Sequence, residues 1–295
     1  MIAKKHEGSL TGSILPVKAP SETEIAQILA LKEKCEQKMG IGIVMTGDFL
    51  RTLDKPGVGA LAYMKGTQCI GFAFFYSFVK EEAEASIFVD PEEDWERVGS
   101  DLLRKTITEC KQKGHIRLLI MNDRRLSNGV ALIQDAGGKL VFSEHRMESR
   151  GEPSPPELHI DLREVGNDDP MLRDVELECF ERFHSKPDQK RYLAMFRGSP
   201  IGKIDVYQEG SEVELTGFCV LPGLRGKGLG KAILHCVVIL LRNEGKERIT
   251  MDVQTDKEIA LSLYLKSGFE KEFTLDYYAI SLEDMISVEQ HHHQQ

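Results

Sequence analysis

A glycine-rich stretch at 225–231 carries the residues of this chain best suited to chemistry. Three glycines alternate there with other residues, between an alternating strand pattern and a long apolar helix pattern. Such glycines let the backbone turn tightly and direct N–H groups at one point, while the helix adds the positive end of its dipole. The residues expected to contact phosphate are Arg225, Gly226, Lys227, Gly228, Leu229, Gly230 and Lys231.

The spacing of these glycines separates the loop from two other phosphate-binding motifs. Gly223 is followed by Gly228 and then by Leu229, so G-x-x-x-x-G-K-[ST] does not occur, and neither does G-x-G-x-x-G. On glycine content alone, a flexible connection is an equal interpretation. The elements on either side of the loop are therefore needed to choose between a phosphate-binding loop and a flexible connection.

Period-2 and period-3.6 patterns predict the elements around the loop. The alternating residues 212–220 form the strand that enters it, with Glu212 and Glu214 on one face. The helix that leaves it spans 230–243, with Gly245 as a C-cap. The other predicted elements are strand 158–162, helix 170–180, two strands around a turn at 198–200, strand 249–253, helix 258–267 and strand 275–280.

Two motifs in this order resemble those of the GNAT superfamily of N-acetyltransferases. The first is V-x-P-x-x-[RQ]-x-x-G-x-[GA], leaving a strand and opening a helix, and the second is A-x-x-L-Y-x-x-x-G-F on a later helix. The chain departs from the family at Lys257, where asparagine is frequent. The matching residues are Val220, Pro222, Arg225, Gly228 and Gly230 for the first motif, and Ala260, Leu263, Tyr264, Gly268 and Phe269 for the second.

The resemblance implies acetyl-CoA as co-substrate and a role for each residue around it. Glu214 stands where several members carry a general base, acting directly or through water, with Glu212 or a water chain as the alternative. Tyr264 corresponds to the tyrosine that protonates or hydrogen-bonds the leaving sulfur. Phe218 and Val220 correspond to positions whose backbone N–H groups contact the thioester and the pantetheine. Simpler interpretations stay open, since alternating glutamates often lie on a strand surface and a helical tyrosine often packs at a rim.

The same order of predicted elements occurs twice along the chain. Gly99 and Gly230, and also Gly137 and Gly268, are separated by 131 positions, a constant offset that indicates internal duplication. The sequence thus predicts an α/β fold of two tandem GNAT-like domains, each a mostly antiparallel sheet flanked by helices. Their expected bounds are 1–150 for a degenerate copy, 151–157 for a proline-rich linker and 158–295 for the catalytic copy.

The first copy has lost the loop. Asp94, Trp95 and Arg97 stand opposite Arg225, Gly226 and Gly228, and Ile133 stands opposite Tyr264. The first copy is therefore expected to form one wall of the substrate cleft or to orient the second domain. Binding of an acyl-CoA or another ligand in altered geometry stays the alternative, since tandem superfamily members such as the mycothiol synthases look similar in arrangement.

The resulting hypothesis is transfer of an acetyl group from acetyl-CoA to a primary amine of a small molecule or peptide. The amine attacks directly in a ternary complex, at one active site in the C-terminal domain. A non-catalytic acyl-CoA-binding regulatory module is the alternative.

The composition of the chain limits which partners and which location are compatible with this hypothesis. A net charge of -9 disfavours nucleic acid and anionic membranes as partners, and no apolar run reaches the roughly 20 residues that span a bilayer. A cytoplasmic location is therefore expected. No metal is predicted, because the histidines 291–293 lie in a polar terminal tail, and the cysteines are scattered singly, with Cys219 facing the core.

Overall fold

The structure is a computed structural model that describes residues 12–151, 158–180, 189–209 and 212–283. The chain forms two compact units, which do not follow a single cut in the sequence. The first unit contains Met1–Phe142 together with Leu275–Gln295, and the second contains Ser143–Thr274.

The first unit contains five strands and four helices that lie wholly within it, among the described residues. The strands are β1 (Ser13–Val17), β2 (Val58–Lys65), β3 (Gln68–Val79), β4 (Glu82–Val89) and β5 (Arg117–Asp123). The helices are α1 (Glu22–Met39), α2 (Gly47–Leu50), α3 (Trp95–Gln112) and α4 (Ser127–Asp135).

The second unit repeats this order without a counterpart of α2 among its described residues. Its strands are β7 (Asp161–Val165), β8 (Lys190–Phe196), β9 (Ser199–Glu209), β10 (Glu212–Val220) and β11 (Arg248–Gln254). Its helices are α5 (Pro170–Cys179), α6 (Leu229–Asn243) and α7 (Glu258–Lys266), with a 3₁₀ turn at Pro222–Leu224.

Two further strands pass from one unit to the other: β6 (Lys139–Ser149) and β12 (Phe269–Ser281). Residues 275–281 of β12 pair with β5 in the first unit, and residues 144–148 of β6 pair with β11 in the second. Each copy therefore receives its last strand from the other copy's stretch of sequence. The strand orders are β1-β2-β3-β4-β5-β12 and β6-β11-β10-β9-β8-β7.

This exchange makes the units differ from the sequence-based bounds of 1–150 and 158–295. The expected bounds came from a local proline-rich pattern, whereas strand pairing assigns residues to a unit, and pairing is long-range. Gly151 is the only residue of the expected linker 151–157 that the structure describes.

Within each unit the sheet is antiparallel except for one parallel pair, among the described strands. These pairs are β4–β5 and β10–β11. The duplication is confirmed in the elements themselves, because β5 and β11, and likewise α4 and α7, are separated by 131 positions. The predicted α/β fold of two tandem, mostly antiparallel domains with flanking helices is therefore correct.

The core of the second unit lies between its sheet and α6. Val213 and Leu215 point to this side of β10 and pack with Ile233 and Val237 of α6, all at most 2% exposed. Full burial of such an aliphatic side chain contributes roughly 1.5–3 kcal/mol. Since strand side chains alternate, Glu212 and Glu214 point to the opposite face. No helix among the described residues is long and apolar enough to cross a membrane.

Candidate active site

The parallel strands β10 and β11 separate where the predicted site begins. They pair only from Glu212 to Leu215 of β10, although β10 continues to Val220. A gap therefore opens between the two strands, and the backbone of residues 216–220 borders it.

A β-bulge lies in this bordering segment. Thr216 pairs with Asp205 and Cys219 pairs with Lys203, so three steps on β10 match two steps on β9. Gly217, inside the bulge, has a φ of 53°, which glycine adopts without strain. The bulge inserts one residue and re-aims the backbone next to the gap.

Beyond the bulge, the backbone of Val220 is directed into the gap. The N–H of Leu221 donates to the carbonyl of Ile201 on β9 at 2.9 Å. Because antiparallel pairs alternate between hydrogen-bonded and non-hydrogen-bonded, the N–H and C=O of Val220 point away from β9. The Val220 carbonyl accepts a hydrogen bond from Nε of Arg225 at 3.0 Å, which ties the loop to the end of the strand.

The loop has the conformation that its glycines predict. Gly226 and Gly228 have φ values of 76° and 78°, in the left-handed region. Gly228 is also the N-cap of α6, and without a side chain it leaves the first N–H groups of the helix open. A Cβ on Gly230 would come within 3.0 Å of Leu263, so this glycine allows α6 and α7 to approach closely.

The charged residues of the loop surround this open helix end. Arg225, Lys227 and Lys231 are exposed, and Nζ of Lys227 donates to the carbonyl of Gly223 at 3.2 Å. Leu229 is buried and anchors the start of the helix in the core. The arrangement suits an anion such as a pyrophosphate.

Tyr264 lies on α7 near the bulge. Its ring centroid is 6.3 Å from that of Phe218 and 6.4 Å from that of Phe269. Burial raises the pKa of Tyr264 to about 12, so the phenol stays neutral at physiological pH. Tyr264 belongs to the core on the α6 side of the sheet, whereas Glu214 points to the other side.

The two candidate glutamates have different partners. Glu212 forms a direct ion pair with Arg248 at 2.9 Å. The carboxylate of Glu214 lies 4.0 Å from Nη1 of Arg146, a buried side chain that also binds Asp252 at 2.7 Å. The sequence analysis missed Arg146 and Asp252, because Arg146 lies in the first half of the sequence and no local motif marks either residue.

Cys219 lies beside the bulge without the properties of a nucleophile. Burial raises the pKa of its thiol, and the neighbouring Cys179 thiol raises it further, so the thiol stays protonated. No group of three or more potential metal ligands occurs among the described residues. The histidines 291–293 lie outside the described residues.

At the corresponding place in the first unit, a helix replaces the loop. The α3 helix begins at Trp95, and the side chain of its N-cap Asp94 accepts a hydrogen bond from the N–H of Arg97 at 3.1 Å. A carboxylate of the protein itself thus occupies the end of the helix that would attract a phosphate. Ile133, opposite Tyr264, is a buried core residue.

The first unit has no bulge at the matching position of β3 and β4, and its own chain lines the corresponding space. β3 and β4 pair from Gly71–Val89 to Tyr76–Glu84 without a register shift. Residues 41–44 line the space beside β4 and β5, and the N–H of Gly42 donates to the buried carboxylate of Asp123 at 2.7 Å. In the first unit the chain itself therefore lines the space beside these strands.

The bulge also changes which residues correspond between the copies. Before the bulge, Glu214 pairs with Tyr207, and the matching pair in the first unit is Glu84 with Tyr76. The constant offset of 131 would instead place Ala83 opposite Glu214. The candidate base therefore has a glutamate twin, Glu84, which accepts a hydrogen bond from the Tyr76 hydroxyl at 2.9 Å.

Comparison with known proteins agrees with this geometry. Residues 156–269 match the sequence profile described as the Acetyltransferase (GNAT) family. A search of curated protein sequences gives no match to the chain. The match lies within the second unit, so this repeat is similar in sequence to GNAT acetyltransferases.

Solved structures extend the likeness to both repeats. A GCN5-related N-acetyltransferase from Sphaerobacter thermophilus aligns with a TM-score of 0.75 and 16% identity, over 91% of this chain and 96% of its own. A tandem GNAT protein from the clavulanic acid biosynthesis pathway aligns with a TM-score of 0.70 and 13% identity, over 92% and 99% of the two chains. A GNAT-family acetyltransferase from Colwellia psychrerythraea gives 0.61 and 11%, over 91% and 100%. These likenesses show that the chain has the fold of tandem GNAT proteins.

Proposed function

We propose that this protein transfers the acetyl group of acetyl-CoA to a primary amine of a small molecule or peptide, at one active site in the second repeat. The observation that carries the proposal is a contrast between the repeats. Among the described residues, only the second repeat combines a strand gap, a bulge, an open helix end and a buried tyrosine beside the bulge. In the first repeat, residues 41–44 line the corresponding space and the Asp94 side chain caps the helix end.

The pyrophosphate of acetyl-CoA is assigned to the loop at 225–231. The open N–H groups at the start of α6 would donate hydrogen bonds to its oxygens, and Arg225, Lys227 and Lys231 would balance its charge. The pantetheine would then run into the gap, where the N–H of Val220 points. These assignments place the thioester near Phe218 and Tyr264.

The reaction uses the two faces of the sheet. The amine nitrogen attacks the thioester carbonyl carbon and forms the C–N bond, and Glu214 takes the amine proton directly or through water. The C–S bond then breaks, and the sulfur keeps the electron pair and receives a hydrogen bond and then a proton from the Tyr264 hydroxyl. Base and acid lie on opposite sides of β10, so an acetyl group in the gap meets both without a covalent enzyme intermediate.

A non-catalytic acyl-CoA-binding module is the second candidate. The ion pair between Glu214 and Arg146 favours it, because a carboxylate held by a guanidinium is a weaker base. Binding without turnover would be the signature of this candidate.

Calorimetry with acetyl-CoA, followed by thiol release over a panel of primary amines, tests both candidates. We expect one acetyl-CoA per chain and at least about tenfold weaker binding for Arg225→Glu, since a charge-assisted phosphate contact is worth roughly 1.5–3 kcal/mol. Arg97→Glu is the matched control, because this exposed arginine lies at the helix start of the first repeat.

Each outcome has a distinct meaning. Absence of binding to the wild type contradicts the acetyl-CoA assignment, and two molecules per chain contradict a single site. Binding without thiol release on any amine supports the regulatory module. Thiol release that persists in Glu214→Gln with an unchanged pH profile would transfer the base role to Glu212 or to a water chain.

A further inference from the structure

A buried arginine lies beside the candidate base in the second unit. Nη1 of Arg146 is 2.7 Å from a carboxylate oxygen of Asp252 and 4.0 Å from one of Glu214. The arginine side chain is 6% exposed and that of Glu214 is 18% exposed, so water screens the interaction weakly. One nitrogen thus faces two carboxylates.

Strand exchange delivers this arginine. Arg146 belongs to β6, which precedes the linker in sequence but pairs with β11 in the second unit, with Arg146 directly opposite Asp252. Cross-strand neighbours on one face lie close enough for their side chains to interact. The register of β6 on β11 therefore fixes the position of the guanidinium.

The first unit retains the glutamate but not the ion pair. Glu84 corresponds to Glu214, while the residues paired like Asp252 and Arg146 are Met121 and Tyr277. The ion pair between Arg146 and Asp252 thus occurs in the repeat that has the loop and the bulge, and uncharged side chains replace both residues in the other repeat.

The other cations near Glu214 form ion pairs with other carboxylates. Arg248 on β11 is bound by Glu212 of β10, Glu272 of β12 and Glu148 of β6, at 2.9, 2.6 and 3.5 Å. On β9, Tyr207 lies opposite Glu214. Farther along that face, Lys203 and Arg191 pair with Asp205 and Glu176, two cations with two anions. Nη1 of Arg146 lies 4.0 Å from the Glu214 carboxylate, so Arg146 is a cation that acts on Glu214.

We propose that Arg146 is a positioning residue that keeps Glu214 ionised and oriented at the edge of the strand gap, with Asp252 balancing part of its charge. The inference rests on the proposed function only where it treats Glu214 as the base. Without Arg146, the Glu214 and Asp252 carboxylates would lose the cation that they share, and Glu214 would be protonated at higher pH. Without Asp252, the whole charge of Arg146 would act on Glu214, and Glu214 would be protonated at lower pH.

Carbon-13 NMR titration of the full chain, with its glutamate carboxyls labelled, measures this effect without any acceptor. The Glu214 resonance is the one missing in Glu214→Gln. We expect Arg146→Gln to raise the apparent pKa of Glu214 by roughly one to two pH units, or ten- to hundredfold in the protonation equilibrium. Arg146→Lys should retain most of the wild-type value, and Asp252→Asn should shift it downward.

Arg150→Gln is the matched control, because Arg150 is exposed and pairs with Glu148 near the end of the same strand. It should leave the Glu214 titration unchanged. A Glu214 titration that is the same in the wild type, Arg146→Gln and Asp252→Asn overturns the proposal. If Arg146→Gln fails to fold, the near-wild-type titration expected of Arg146→Lys and the downward shift expected of Asp252→Asn still decide it.

Kinetics then separate this inference from the proposed function. These kinetics use an amine found in the acceptor panel. In each variant, the apparent pKa of the acidic limb in the pH profile of kcat/KM should shift by the same amount as the Glu214 pKa measured by NMR. An NMR shift with an unmoved limb supports the role of Arg146 and contradicts Glu214 as the base. A Glu214 titration that does not respond overturns the Arg146 role whatever the activity.

Discussion

Burial of Tyr264 sets the form in which this residue could act. Its pKa of about 12 lies well above the value of about 8.5 for an ordinary thiol. Complete proton transfer to a thiolate would therefore be uphill by roughly 5 kcal/mol. A hydrogen bond to the departing sulfur, with the proton following late, is the form of assistance that this environment favours.

We accordingly expect Tyr264→Phe to lower kcat about ten- to hundredfold, since it removes one hydrogen bond to a charged group, with acetyl-CoA affinity changed less than about twofold. Tyr192→Phe is the matched control, because this buried tyrosine of the same unit bonds to Glu164 on the neighbouring strand. Steady-state kinetics and calorimetry measure both effects. Equal turnover in the two variants would remove Tyr264 from the mechanism.

At the scale of elements, the proposed function depends on the loop and the helix after it, which differ between the repeats. α6 begins with a glycine cap and α3 begins with an aspartate cap. The helices are otherwise comparable amphipathic elements on equivalent sheets. A few residues at a helix start therefore separate an open anion site from a closed helix end.

The conformation of Gly228 provides a test at this scale. Alanine at a φ of 78° costs about 1 kcal/mol or more, so Gly228→Ala should lower the free energy of unfolding by about that amount and weaken acetyl-CoA binding about tenfold. Gly223→Ala is the control, because a Cβ there meets open space and no positive φ is required. Urea denaturation and calorimetry provide the measurements. Indistinguishable variants would show that the loop geometry does not depend on this glycine.

At the scale of the molecule, each compact unit depends on a strand from the other half of the sequence. The end of β12 places Tyr278, Ile280 and Leu282 in the core of the first unit. Cutting the chain between the repeats would thus remove a strand from each sheet. The repeats are duplicated in sequence but not separable in structure.

A stop codon after Thr274 should therefore prevent stable folding of the first unit. Loss of each large buried side chain costs roughly 2–5 kcal/mol, and three such losses rival the whole stability of a domain. A stop codon after Glu283 is the control, because it keeps all of β12 and removes only residues that follow the described part of the chain. Thermal unfolding and limited proteolysis compare the two. A first unit that resists protease after truncation at Thr274 would contradict the strand exchange.

The sequence by itself determined the class of fold, the order of the elements and the loop. These features depend on short-range rules: the period of apolar residues, the glycines that turns require, and motif spacing within a few residues. The loss of the loop in the first copy was also visible, because a constant offset placed Asp94 opposite Arg225. The roles of Glu214 and Tyr264 stay predictions.

Only the tertiary structure decided which strands complete which unit, where the bulge lies and which charges meet. One inserted residue in β10 makes Glu84, and not Ala83, the counterpart of Glu214. Strand exchange places Arg146 beside that glutamate, although 68 positions separate them in sequence. Side-chain patterns repeat every two residues and do not encode the partner strand or its register, so pairing between distant segments fixes these contacts.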